Sequence, residues 1–197
     1  LRPAAYTLSA WVRADGPGAN NDSYGSVVIQ QIATSGAATA GGIWWDALSG
    51  RFKSFTGSVS TDPPAISATQ FPAGTLHHVA VTYEARALAL YVDGALEASV
   101  TLNADAVHDG QPWTIGGSRD AFRAQGYPRT WNGLIDDVRI IGRALSEAEI
   151  GDLAAARPDG MCGGSCAAPA AVGSTVTWNP LTAGTSIVLS NGDQRQL

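Results

Sequence analysis

The stretch NGLIDDVRIIGRALSEAEI, Asn132 to Ile150, decides the fold. Its first half is rich in β-branched residues and is bounded by Gly133 and Gly142, which predicts a strand over Gly133–Ile141. Its second half carries Ser146-Glu147-Ala148-Glu149 at the spacing of a capping box, in which Ser146 and Glu149 satisfy each other's backbone N–H groups. The helix that follows runs over Ala148–Ala156 and stops before Pro158. One strand feeding one short helix thus closes the first 157 residues.

Upstream, short apolar runs alternate with Gly/Asp/Asn/Ser/Pro clusters about every ten residues, the spacing of an all-β sandwich. The predicted strands are Tyr6–Arg13, Gly25–Ile32, Gly42–Ala47, Arg51–Gly57, Leu76–Glu84, Ala87–Val92, Ala95–Leu102 and Trp113–Gly116. Period two in TLSAWVR sends Leu8, Ala10 and Val12 to one face and Thr7, Ser9, Trp11 and Arg13 to the other. Asp93-Gly94 separates two strands with residues that tolerate positive φ, the best hairpin signal in the chain. Residues 158–174 turn to Pro, Gly, Ala and Ser and read as a linker. Residues 175–197 begin a fresh β-type segment, the start of a second module or a docking strand.

Composition narrows the partners. The 197 residues carry a net charge of −5, with the single Lys53 against eleven Arg, and the pI is near 5.0. A nucleic-acid binder working through basic patches is excluded, because phosphate neutralisation needs clustered cations. No window approaches roughly eighteen consecutive apolar residues, so neither a transmembrane helix nor a signal-peptide core is expected. The chain opens at Leu1 and its single Met is Met161, which is the expectation for a piece of something larger.

The phrases YTLSAWVR, LHHVAVTYE, LALYVDGAL, WTIGG and NGLIDDVRIIGRALSEAEI resemble, in this order, laminin-G-like modules of the concanavalin-A-like superfamily, over about Tyr6 to Ala155. The resemblance implies a jelly roll of two antiparallel sheets with one short C-terminal helix. It also implies structural calcium in many members, and glycan or protein recognition within larger extracellular, cell-surface or virion proteins. Leu76 stands where the family commonly has Trp. A strand that usually precedes TLSAWV is reduced to Leu1–Ala5, so the edge beside the closing strand is expected to be covered by residues 175–197 or by a neighbouring chain. The segment TVTWNPLTAGTSIVLSNGDQRQL resembles the opening of SPRY-like sandwich modules of phage and bacterial surface proteins.

A glucanase on this scaffold would need two carboxyls about 5 Å apart, which laminarinase-like relatives supply as Glu-x-Asp-x-Glu on one strand. This chain has four Glu, at 84, 97, 147 and 149, and no such strand. No nucleophile elbow and no phosphate-binding loop is present. His77 and His78, adjacent on a strand, point to opposite faces and read as hydrogen-bonding residues. Cys162 and Cys166, alone as C-x3-C, lack the further ligands of a zinc site and suit a small disulfide ring better than two free thiols. Calcium wants carboxylate and carbonyl oxygen. Alternation separates Asp136 from Asp137, and the resemblance makes Asp136 the structural ligand. Asp120 matches a loop where pentraxin-like relatives bind calcium, but Ser118 and Arg119 replace the acidic neighbours.

Sugars dock on Trp or Tyr faces with polar groups at the edges. Trp44 and Trp45 are consecutive, so one of them is expected to leave the core and form a binding surface. Arg119, Asp120, Tyr127 and Trp131 accompany Phe122 in the long segment before the closing strand and complete the candidate ligand-binding set. The sequence therefore predicts a non-catalytic recognition or adhesion module that binds a glycan or a surface protein. The alternatives are an assembly module of a phage tail or surface filament, and an accessory domain of a glycoside hydrolase.

Overall fold

Alternation decides which side of β1 (Ala5–Ala14) meets the core: Tyr6, Leu8, Ala10 and Val12 are buried among the strands, while Trp11 lies outside that cluster. The computed structural model describes residues 4–18, 25–32, 38–58, 61–106, 108, 111–118, 126, 129–156 and 186–189. The further strands are β2 (Ser26–Ile32), β3 (Ala38–Asp46), β4 (Arg51–Ser54), β5 (Gly57–Ser58), β6 (Ala65–Ile66), β7 (Leu76–Glu84), β8 (Ala87–Val92), β9 (Ala95–Thr101), β10 (Thr114–Ile115), β11 (Gly133–Ile141) and β12 (Ser186–Leu189). They form two antiparallel sheets. The first runs β12-β11-β1-β7-β8-β9; the second runs β10-β2-β3-β4-β6, with β5 on β3. Leu8, Ile29, Ile43, Phe52, Val81, Leu88 and Leu90 fill the space between them. Burial of this kind stabilises by about 25 cal/mol per Å² of apolar surface removed from water.

The helix α1 (Glu147–Ala155) has both halves of the predicted capping box: the Glu149 amide donates to Ser146 Oγ, and the Ser146 amide donates to the Glu149 carboxylate. It lies on the outward face of the first sheet, where Ile150 and Leu145 bury against Ala80 and Tyr91. Among the described residues no helix is long and apolar enough to cross a membrane.

Three local features adjust the regular pattern. Asp93 and Gly94 take φ of 51° and 82°, the two positive values that a two-residue primed turn requires. At β11, alternation fails between Asp136 and Asp137. The register shifts there, Asp137 takes φ of 48°, and its carboxylate is held at 2.7 Å by Arg139. Asp136 pairs with the outward-facing Trp11, so a bulge, not strict period two, sets both side chains. The edge of β11 is paired by β12, with Val138 opposite Leu189 and Ile141 opposite Ser186.

The β7–β8 turn carries strain that its sequence does not announce. Ala85 and Arg86 both adopt positive φ, 46° and 70°, where a Cβ costs roughly 1–2 kcal/mol per residue. Replacing Ala85-Arg86 by Asn-Gly is expected to raise stability by about 1 kcal/mol, because both replacements tolerate this region. Thermal melting of the double variant checks this, and a lowered midpoint would refute it.

Candidate functional site

Residues of the second sheet that point away from the core form a row across five strands. Cross-strand pairing places Thr114 beside Gln30, Gln30 beside Gly42, Trp44 beside Val27 and Lys53, and Lys53 beside Ile66. Trp44 belongs to this face and not to the central core. Its ring lies back over Gly42, where any Cβ would collide with it, and meets the edge of Phe55 at 5.2 Å. The face is closed over Gln30 (1% exposed) and Trp44 (2%), and opens toward β6, where Ile66 is 40% exposed.

The chemistry of the row is unusual for so buried a surface. The Gln30 side-chain N and O, the Trp44 indole N–H and the Thr114 hydroxyl all lack a hydrogen-bond partner. Folded proteins satisfy the large majority of such groups, and each one left over costs about 1–3 kcal/mol. The next residue on the strand shows the contrast. Gln31 faces inward, donates to the Gln111 carbonyl at 2.5 Å and meets His108 Nδ1 at 3.0 Å.

The charges bordering the row are engaged. Lys53 Nζ lies 2.8 Å from Asp46 Oδ2. Burial pushes the Asp46 carboxyl up, but Lys53, the Ser49 hydroxyl and the Leu48 amide together hold it below its ordinary value. The Arg51 guanidinium donates to the carbonyls of Ser67 and Ala68.

The Trp44/Trp45 expectation requires correction. The two rings do take opposite faces, but neither is a bare platform, since both are almost fully buried. Trp45 sits in the core, donates its indole N–H to the Phe71 carbonyl at 2.9 Å and meets Trp131 at 6.3 Å. Trp131 is itself partly buried against the core and donates to the Leu134 carbonyl. Neither joins the outward row. Arg119, Asp120, Tyr127, Phe122, Cys162 and Cys166 lie outside the described residues. Gln30, Thr114 and Phe55 were not singled out from the sequence. The available signal was the polar Gln-Gln pair ending the apolar run SVVIQQI, which alternation must split between the two faces.

Asp136 is 8% exposed and accepts the Asp137 amide at 2.8 Å. No group of three His, Cys, Asp or Glu side chains able to hold a metal occurs among the described residues. His77 and His78 take opposite faces as expected: His77 packs on Phe71 at 4.9 Å, and His78 on Trp11 at 5.4 Å. The four Glu are spread over separate structural tasks. Glu84 and Glu147 are exposed, Glu97 accepts the Thr69 amide, and Glu149 completes the helix cap. The Arg143 guanidinium beside Glu149, aided by Ser146, holds its carboxyl down to about 2, the opposite of what a general acid needs.

A family model described as the concanavalin A-like lectin/glucanases superfamily matches residues 1–151. No curated protein matches the chain. Among solved structures, the fold resembles a Bacteroides ovatus protein provisionally described as carbohydrate binding, with 14% identity and a TM-score of 0.56 over 75% of this chain and 40% of that one. A Trypanosoma rangeli sialidase in complex with sialic acid matches at 22% identity and 0.56, over 76% of this chain and 22% of the sialidase. Domain 4 of a Geobacillus stearothermophilus extracellular arabinanase, in complex with arabinotriose, matches at 21% and 0.56, over 78% and 68%. The chain thus spans less than half of the first two proteins.

Proposed function

Because the chain belongs to the concanavalin A-like lectin/glucanases superfamily, we propose that it is a non-catalytic recognition module that binds a glycan on the outward face of its second sheet, within a larger extracellular, cell-surface or virion protein. The observation that carries this reading is Gln30, whose buried amide has neither its donor nor its acceptor satisfied. A sugar hydroxyl is donor and acceptor at once and suits such an amide, with the Thr114 hydroxyl and the Trp44 indole N–H beside it. Phe55, half-buried against the edge of the Trp44 ring, adds aromatic surface for pyranose C–H faces. The carbohydrate-binding description of the Bacteroides protein and the arabinotriose complex of the arabinanase domain support the ligand class.

A glycan array with and without EDTA, followed by calorimetry, tests the reading. Binding in the micromolar-to-millimolar range is expected, reduced at least about tenfold by Trp44→Ala, which removes an aromatic wall and leaves a cavity. An array with no bound glycan, or a Trp44→Ala variant that binds as well as the parent, would overturn it. Calcium at Asp136 belongs to the same proposal. Its remaining ligands would be backbone carbonyls, and EDTA should lower the melting temperature of the parent but not of Asp136→Asn. A second reading, assembly through the sheet edge, is favoured by the β12 strand lying on β11. It would be supported by a blank array together with self-association of the chain.

A further inference from the structure

We propose that the cleft between Trp11 and the last turn of α1 is a second binding site, for an organic cation of the alkylammonium class. The cleft has a volume of about 400 Å³ and is lined by Trp11, Leu76, Asp93, Gly151, Ala154 and Ala155. It lies on the outward face of the first sheet, on a different sheet from the Gln30–Trp44 row, and does not depend on the glycan reading.

Its shape follows from the helix sequence. Where α1 crosses the Asp93-Gly94 turn it presents only small residues, and a Cβ on Gly94 would stand 3.3 Å from Gly151 Cα and 3.4 Å from Ala154 Cβ. The helix is therefore drawn close to the turn, while the missing side-chain volume opens beside the indole of Trp11.

The chemistry of the lining selects a cation. Trp11 supplies the strongest aromatic partner for an ammonium group, and Leu76, Ala154 and Ala155 supply an apolar sheath for its carbon groups. Asp93 supplies the charge: burial pushes its carboxyl up, but His77 Nδ1 at 2.7 Å and the His78 amide at 2.9 Å more than offset this and keep it ionised. The carbonyl end of α1 points the negative pole of the helix at the same place, and its last turn holds no basic residue to offset it. On the other side of the balance, Arg139 is engaged by Asp137, His78 is held neutral by burial, and among the described residues no Lys or Arg lines the cleft. A lysine side chain of a protein and a free quaternary amine share the chemistry that fits.

Two-dimensional NMR of the labelled chain at low salt tests the site with tetramethylammonium, Nα-acetyl-lysinamide and the uncharged isostere neopentyl alcohol. Saturable shifts of the Trp11 indole and of the Gly151 and Ala154 amides are expected with the cations and not with the alcohol. Asp93→Asn, which keeps an acceptor for the His78 amide and tolerates the positive φ of the turn, should weaken the cation at least about tenfold. Ala154→Leu should fill the cleft and abolish the shifts in a chain whose other resonances are unchanged. Tighter binding of acetyl-lysinamide assigns the site to a protein lysine; tighter binding of tetramethylammonium assigns it to a quaternary amine. Equal shifts with neopentyl alcohol, or undiminished affinity in Asp93→Asn, would overturn the proposal.

Discussion

Gln30→Leu is expected to stabilise the fold by about 2–4 kcal/mol and, in the same molecule, to remove glycan binding. Gln30 is buried with both amide atoms unpartnered. An unpaired buried polar atom costs about 1–3 kcal/mol, whereas an apolar group of the same shape carries no such penalty. Its neighbours on the face are Thr114, Val27, Gly42 and Trp44, none of which would lose a hydrogen bond to the amide when it is replaced. Leu also buries more apolar area than the amide it displaces. Binding moves the other way because the ligand's hydroxyls lose their partner, the stability–function exchange expected where a site is kept at the expense of the fold. Urea unfolding and glycan calorimetry on one preparation read both changes. A destabilised Gln30→Leu would mean that the amide is satisfied in the parent and would remove the observation on which the proposed site stands.

How far the sequence could be read follows from which interactions are local. The capping box of α1, the Asp93-Gly94 turn and the alternation of Leu8, Ala10 and Val12 are each encoded within a few residues, and each is present in the fold. Ala85-Arg86 was not legible as a primed turn because neither residue favours positive φ; the pairing of β7 with β8 imposes it. The Asp136/Asp137 bulge arises from the register against β1, which period-two counting cannot see. The outward row was hidden for a related reason. Alternation correctly parted Trp44 from Trp45, but whether an outward face is covered depends on residues far away in sequence. Gln30 gained its meaning only once Thr114, more than eighty positions along, was seen paired beside it.

Acid should cost the fold roughly 3 kcal/mol through one residue, His78. Its ring is 2% exposed, packs on Trp11 at 5.4 Å and has an Nδ1 with no hydrogen-bond partner. Burial, with the positive charge of Arg139 adding to it, pulls the imidazole down to about 4, while Asp93 and Asp137 resist. An unfolded chain titrates this His near 6.5. Between those values the unfolded state binds a proton that the folded state refuses, so stability is complete above about pH 6.5. It falls as pH drops toward 4, by at most about 1.4 kcal/mol per pH unit. The paired carboxylates Asp46 and Asp93 are also held low and weaken the fold chiefly at the acid end of this range and below it, so the His78 contribution is read as a difference. Urea midpoints of the parent and of His78→Phe, measured at pH 7, 6, 5 and 4, should diverge in slope: the parent loses stability steeply from pH 6.5 downward and the variant stays nearly level until the carboxylates protonate. Phe keeps an aromatic ring against Trp11 and has no proton to gain, so parallel pH profiles for the two proteins would show that His78 is not held neutral in the folded chain.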